Sequence, residues 1–228
     1  MLTISKENYL KAVYKFGKEG KSTISASTIA GELQVSNAAV TDMAKRLSEQ
    51  GLLDYQKYKG LQLTKAGEKS ALKVIRRHRL WEYFLTKVLD LSWAEVHDEA
   101  ENLEHSTSEF LIDKMDAFLG FPKFDPHGSP IPDKNGKLPK SPVLVKMQDA
   151  EVNRRYQIAR VQDGNTQLMN YLIRIGLNLH TAIKVIEKFS FDNSISIETA
   201  EGTFLLSEKV VEAISLTEIF ESKKIEGD

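Results

Sequence analysis

The sequence predicts a mainly α-helical chain with a small β component. It reads as an N-terminal winged helix-turn-helix, a helical middle, and a small C-terminal module of the barrel type. Three observations predict this. A helix-turn-helix pattern is followed at once by an alternating hairpin. All six prolines fall between Pro122 and Pro142. Beyond them, β-branched residues alternate with polar ones. These observations place domains at 1–63, 64–142 and 143–228, the proline-rich stretch closing the second.

SKENYLKAVYKFGKEG carries Tyr9, Leu10, Val13, Tyr14 and Phe16 at helical spacing, with Ser5 as its expected N-cap and a stop near Gly17 and Gly20. In STIAGELQVSNAAVTDMAKRLSEQG, Ile29, Ala30 and Leu33 form one short helix face and Gln34 to Ser36 make a turn. Ser36 then caps a second helix from Asn37 to about Gln50. LLDYQKYKGLQLT alternates around Lys59-Gly60, as a hairpin with a basic tip. Helices follow over about 64–89, 92–105 and 106–119, and apolar positions such as Leu80, Phe84, Leu85 and Val88 call for a partner surface that a symmetric dimer supplies. After the prolines, VLVKM, YQIARVQ, TAIKVIEKF, SISIET and TFLLS read as strands around one helix over 166–175.

The 228 residues contain no cysteine, which excludes a disulfide framework, a zinc ribbon and a thiolate nucleophile, and fits a reducing cytoplasm. No apolar run is long enough for a membrane span, and the N-terminus lacks a signal-peptide core, so a cytoplasmic protein is expected. The net charge of −1 hides an asymmetry: residues 1–80 hold 15 Lys and Arg against 7 Asp and Glu, whereas residues 81–120 hold 2 against 10. A basic winged helix suits phosphate, and an acidic block suits cations.

The acidic block contains VHDEAENLEH. Like charges crowded on a helix are a cost, so something must compensate. His97, Glu101, Glu104 and His105 stand at offsets of zero, four, seven and eight and share one face, on which carboxylates and imidazoles can converge on a divalent cation. The preceding helix repeats the device with His78 and Glu82, four residues apart. Without sulfur donors, the candidate metals are Mn(II), Fe(II), Co(II) and Zn(II). His127, in DPHG, is by itself read as an exposed loop histidine. For DNA, Asn37, Ala38, Ala39, Thr41 and Asp42 open the second helix of the helix-turn-helix, where base edges are read. Asp42 either accepts from cytosine or pairs with Lys45 or Arg46. Lys45, Arg46, Lys57 and Lys59 suit phosphates, which position without specifying.

Together, HRL-x-E, H-x-E-A-E-x-L-E-H and FP-x(3)-PHG resemble the diphtheria toxin repressor family, nearest its manganese-responsive branch, over nearly the whole chain. The resemblance implies an SH3-like C-terminal domain. It also implies a primary metal site at Glu101, Glu104 and His105 with His78 nearby and Asn8 at a position often occupied by aspartate or methionine. A second site would draw on Glu82, with His97 in one pattern or with Asp125, His127 and Asp163 in another. Lys11 stands where some manganese regulators carry a second acid, which argues against two closely spaced metals.

The resulting expectation is a non-enzymatic, homodimeric repressor that binds a palindromic operator when loaded with Mn(II) or Fe(II), other divalent metals substituting in vitro. It implies neither a membrane partner nor a small-molecule substrate. Repulsion among the carboxylates is expected to loosen the metal-free form. Two other readings attach to the same residues: a winged-helix regulator with a structural or vestigial cluster, and a metal-dependent hydrolase, which would need a phosphate-cradling loop or HExxH motif that the chain lacks.

Overall fold

Helix α1 (Ile4–Lys18) begins where the Thr3 carbonyl accepts the amides of Lys6 and Glu7 at 2.9 and 3.0 Å. The cap is therefore Thr3; Ser5 lies inside the first turn. The computed structural model describes residues 2–18, 24–56 and 60–219. Ser25 Oγ caps α2 (Ala26–Leu33) by accepting the Thr28 amide, and Ser36 Oγ caps α3 (Asn37–Glu49) by accepting the Ala39 amide. Between them Gln34 takes a left-handed conformation with φ 53°, which makes the turn tight. Strands β1 (Leu53–Gln56) and β2 (Gly60–Leu63) pair antiparallel, Leu53 opposite Leu63. The basic tip, including Lys57 and Lys59, lies outside the described residues.

Three helices follow: α4 (Lys65–Val88), α5 (Val96–Glu104) and α6 (Glu109–Phe118). The second starts later than its periodicity suggests. Ser92 donates its amide to Glu95 Oε2, and the Glu95 amide returns to the Ser92 carbonyl, closing a turn before the helix. Ser108 Oγ caps α6 through the Leu111 amide.

The chain divides into two compact units. The first comprises 1–81, 100–123 and 131–139. Its core joins α1 to the winged helix through Tyr9, Leu10, Val13, Ile29, Val40, Ala44 and Leu47, with Leu53, Leu61, Ala71 and Ile75. The second comprises 82–99, 124–130 and 140–228. It contains β3 (Val145–Lys146), a 3₁₀ turn (Met147–Asp149), β4 (Arg155–Val161), α7 (Thr166–Arg174), β5 (Ala182–Lys188), β6 (Ile195–Thr199), β7 (Gly202–Leu206), α8 (Glu208–Glu212) and β8 (Ile214–Glu218). The strands form one antiparallel sheet in the order β3-β8-β4-β5-β6-β7. Its core includes Met147, Tyr156, Ile158, Leu172, Val185, Ile197 and Leu216. The sequence pattern did not reveal α8 or β8, yet β8 lies between β3 and β4 and ties the start of the module to its end.

The proline-rich stretch has no helix or regular strand, but it is held by internal hydrogen bonds and contributes to both units. Asp125 Oδ1 accepts the amides of His127 and Ser129, each at 2.9 Å, and Phe124 bridges Pro130. The loop rests on β4: the Val161 amide donates to the His127 carbonyl at 3.0 Å. Gly128 has φ +86°, and a Cβ there would stand 2.1 Å from the Ala159 carbonyl oxygen. Two independent constraints therefore require glycine. Gly128→Ala is expected to destabilise the protein by roughly 2 kcal/mol, about 4–8 °C in Tm. Differential scanning calorimetry checks this; an unchanged Tm disproves the close approach.

Candidate metal centre and nucleic-acid interface

In the second unit Glu82, Asp125 and His127 bring ligand atoms within 4.8 Å of one another. Glu82 comes from α4, while Asp125 and His127 come from the proline-rich loop. Exposure is 0 % for Glu82, 3 % for Asp125 and 0 % for His127. His127 is thus buried, contrary to the expectation of an exposed loop histidine, because Asp125 folds the loop into a turn and Gly128 lets it lie flat on β4. His127 Nδ1 is 3.5 Å from Glu82 Oε1; its Nε2 is 3.2 Å from the Trp93 carbonyl, and its ring stacks on Trp93 at 5.5 Å. His97 Nδ1 lies 3.4 Å from the same Glu82 oxygen, and ligand atoms of Glu82, His97 and Asp163 also fall within 4.8 Å of one another.

Burial alone would push the His127 imidazole down. The Glu82 carboxylate beside it, with the charges of Asp125 and Asp163, raises it to about 9. Two buried carboxylates are then partly balanced by a proton. An imidazole and carboxylates gathered without sulfur are a donor set that a divalent transition-metal ion fits.

The first unit contains a different cluster. Glu104, at 0 % exposure, has His78 Nδ1 2.7 Å from Oε2 and His105 Nε2 3.1 Å from Oε1. Lys11 Nζ donates to both Glu104 oxygens at 3.0 and 2.9 Å and also to Glu101 Oε1. His105 Nδ1 lies 2.6 Å from Glu7 Oε2, and Glu7 Oε1 accepts from Arg77 at 2.9 Å. Arg77 also donates to Glu109, and Arg76 pairs with Asp113 and Asp116. Burial would push the Glu104 carboxyl up, but the hydrogen bond from His78 and the charges of Lys11 and His78 hold it below the usual carboxylate range. His78, Glu101 and Glu104 bring ligand atoms within 4.8 Å. Asn8 Oδ1 is buried with no hydrogen-bond partner among the described residues.

The face read from VHDEAENLEH is therefore divided. His97 belongs with Glu82, whereas Glu101, Glu104 and His105 belong with His78 and α1. Asp98 and Glu99 are exposed. Sequence reasoning missed Glu7 and Arg77 as partners, and it treated Lys11 only as a missing acid. The available signal was the four-residue spacing of Glu7 and Lys11, which puts both on one side of α1.

On α3, Val40, Ala44 and Leu47 face the core, leaving Asn37, Ala38, Ala39, Asp42, Lys45 and Arg46 exposed. Thr41 is half-buried, and its hydroxyl donates to the Asn37 carbonyl at 2.9 Å. Asp42 pairs with Arg46 at 2.8 Å, the second of the two roles open to it.

Comparison with known proteins matches three consecutive segments of the chain. Residues 1–61 match the N-terminal DNA-binding domain of iron-dependent repressors, residues 64–133 match their metal-binding and dimerisation domain, and residues 145–218 match the FeoA domain. The diphtheria toxin repressor of Corynebacterium diphtheriae is 30 % identical over 185 residues, covering 75 % of this chain and 80 % of that protein. The chain belongs to the diphtheria toxin repressor family. The iron-dependent repressor IdeR of Mycobacterium leprae, another relative in this family, is 37 % identical over 126 residues, 55 % of this chain. That alignment covers 54 % of the relative, so the chain spans about half the length of that repressor. A solved structure described as a manganese-dependent transcriptional repressor in complex with manganese aligns at TM-score 0.86 and 34 % identity, over 94 % of this chain and all of that one. No helix among the described residues is long and apolar enough to cross a membrane.

The raised His127 gives a signed prediction for chelator-treated protein. Its folded value of about 9 exceeds the ordinary 6.5, so its stabilising contribution is complete below pH 6.5 and is lost as pH rises through 9. Tm should fall across that window, and His127→Gln should flatten this part of the profile. A flat wild-type profile disproves the Glu82–His127 pairing.

Proposed function

We propose that the chain is a metal-dependent transcriptional repressor, not an enzyme, that senses Mn(II) or Fe(II) and binds a palindromic operator as a homodimer. The observation that carries this reading is the Glu82–Asp125–His127 cluster: two buried carboxylates and an imidazole gathered in a chain of this family. Its segments 1–63, 64–142 and 143–228 would serve as the DNA-binding domain, the dimerisation and metal domain, and an SH3-like barrel module.

Glu82, Asp125 and His127 would hold the ion, with Asp163 and His97 as further donors. A bound divalent cation would take over from the His127 proton as the positive charge that balances Glu82 and Asp125. Glu82 and Asp125 offer oxygen, and His127 offers nitrogen once it gives up its proton, so acid opposes binding. Asp125 holds the loop through two amides, and the loop rests on β4, so the chain's own hydrogen bonds position the donors.

Asn37, Ala38, Ala39, Thr41 and Asp42 would face the major groove, and Lys45, Arg46, Lys57 and Lys59 would meet phosphates. Because the Thr41 hydroxyl is engaged within the helix, its methyl is the better candidate for base contact. The dimer reading is supported by α6, where Phe110 and Phe118 are each 72 % exposed beside half-exposed Leu111. Leu80 and Leu85, expected to seek a partner, are already buried within the chain.

Fluorescence anisotropy tests this with a labelled palindromic duplex selected from a random library. Mn(II) should raise affinity ten- to a hundred-fold over chelator, a coupling of about 1.4–2.7 kcal/mol, and by reciprocity DNA should tighten Mn(II) binding equally. Glu82→Gln should abolish the response. Equal affinity with and without chelator overturns the proposal.

A further inference from the structure

The acid-rich end of α5 already has its cation. Glu101 and Glu104 stand three residues apart on one helix face, and Glu104 is wholly buried beside two imidazoles, one of which also reaches Glu7. Such a group of carboxylates is unstable without positive charge. The Lys11 ammonium supplies it from α1, donating to both Glu104 oxygens and to Glu101. Its side chain is only 23 % exposed, so water screens the contact poorly. Three donor protons meet three carboxylate oxygens, a complete match for an ammonium. A divalent ion bound to the same oxygens would have to eject Lys11 into a partly closed space beside its own charge.

We propose that Lys11 is the resident cation of this cluster. It fills the place of a divalent ion at Glu101 and Glu104, joins α1 to α5 without metal, and leaves metal sensing to the Glu82-centred cluster. The inference rests on the metal-sensing reading above and narrows it to one ion per protomer. The carboxylates of VHDEAENLEH are then a permanent clasp between the winged helix and the helical region, and metal-free protein keeps α1 seated on α5. This reverses the expectation that carboxylate repulsion loosens the metal-free form.

Native mass spectrometry and calorimetry of the full chain, equilibrated with Mn(II) or with chelator, test this. Wild type should bind one Mn(II) per protomer, lost in His127→Gln and kept in Glu104→Gln. Lys11→Met should gain a second ion. Its Tm in chelator should fall by roughly 5–15 °C and recover with Mn(II). Lys11→Arg, which keeps the charge, should bind one ion. If Lys11→Met does not fold in chelator, Lys11→Met with Glu101→Gln removes the excess charge, and it should regain Tm without metal. A second Mn(II) on wild type that Glu104→Gln removes overturns the proposal, as does a Lys11→Met protein with wild-type ion count and Tm. Failure of the repressor reading looks different: operator binding then ignores chelator, while the gain of an ion on Lys11→Met still reports on Lys11.

Discussion

A carboxylate with no access to water must be matched by positive charge or by hydrogen-bond donors, and Glu104 imposes that requirement on the first unit. Its oxygens are met by Lys11 from α1, His78 from α4 and His105 at the end of α5. The requirement passes outward from there. His105 reaches Glu7, Glu7 reaches Arg77, and Arg77 reaches Glu109 on α6. Four helices are held by one chain of polar contacts. Removing an interior member leaves its neighbour buried and unmatched, which is costlier than losing a surface pair. Apolar contacts determine that α1 packs on the winged helix; the polar chain determines which helices α1 also holds.

The second unit solves a related problem differently. Glu82 and Asp125 are buried next to His127, whose proton supplies part of the balance. An ammonium on a lysine stem is tethered and permanent, whereas an imidazolium can lose its proton to water and offer the freed nitrogen to a competing cation. The charge balance of the first cluster is therefore fixed, and that of the second is exchangeable. Their sequences look alike because both use carboxylates and histidines at helical spacing. The difference lies in which cation the rest of the fold brings to them.

Much of this was legible in the residues. Ser36 caps α3 as its position before a helical run implied, and Val40, Ala44 and Leu47 fall on the buried face that their period requires. Family motifs identified the ligand candidates. Contacts remote in sequence were less accessible: the offsets of His97, Glu101, Glu104 and His105 give one face of an ideal helix, yet they do not say what stands opposite each turn. Glu82 meets His97, and Glu104 meets Lys11, because of packing that no local spacing encodes. Strand β8 was missed for a similar reason, its short ISLTE run being assigned by pairing with β4 and β3. The burial of His127 depended on a close backbone approach at Gly128, and DPHG alone does not announce the carbonyl it must pass.

That approach has a consequence for how such chains can be rearranged. The loop carrying Asp125 and His127 has β4 as its floor, and Asp163 follows that strand directly. The C-terminal sheet is thus a wall of the Glu82–Asp125–His127 cluster. A chain cut at residue 142 would keep Glu82, Asp125 and His127 in its sequence but lose the surface against which they are ordered. Shuffling this module among related chains would exchange part of that cluster's support together with the attached domain.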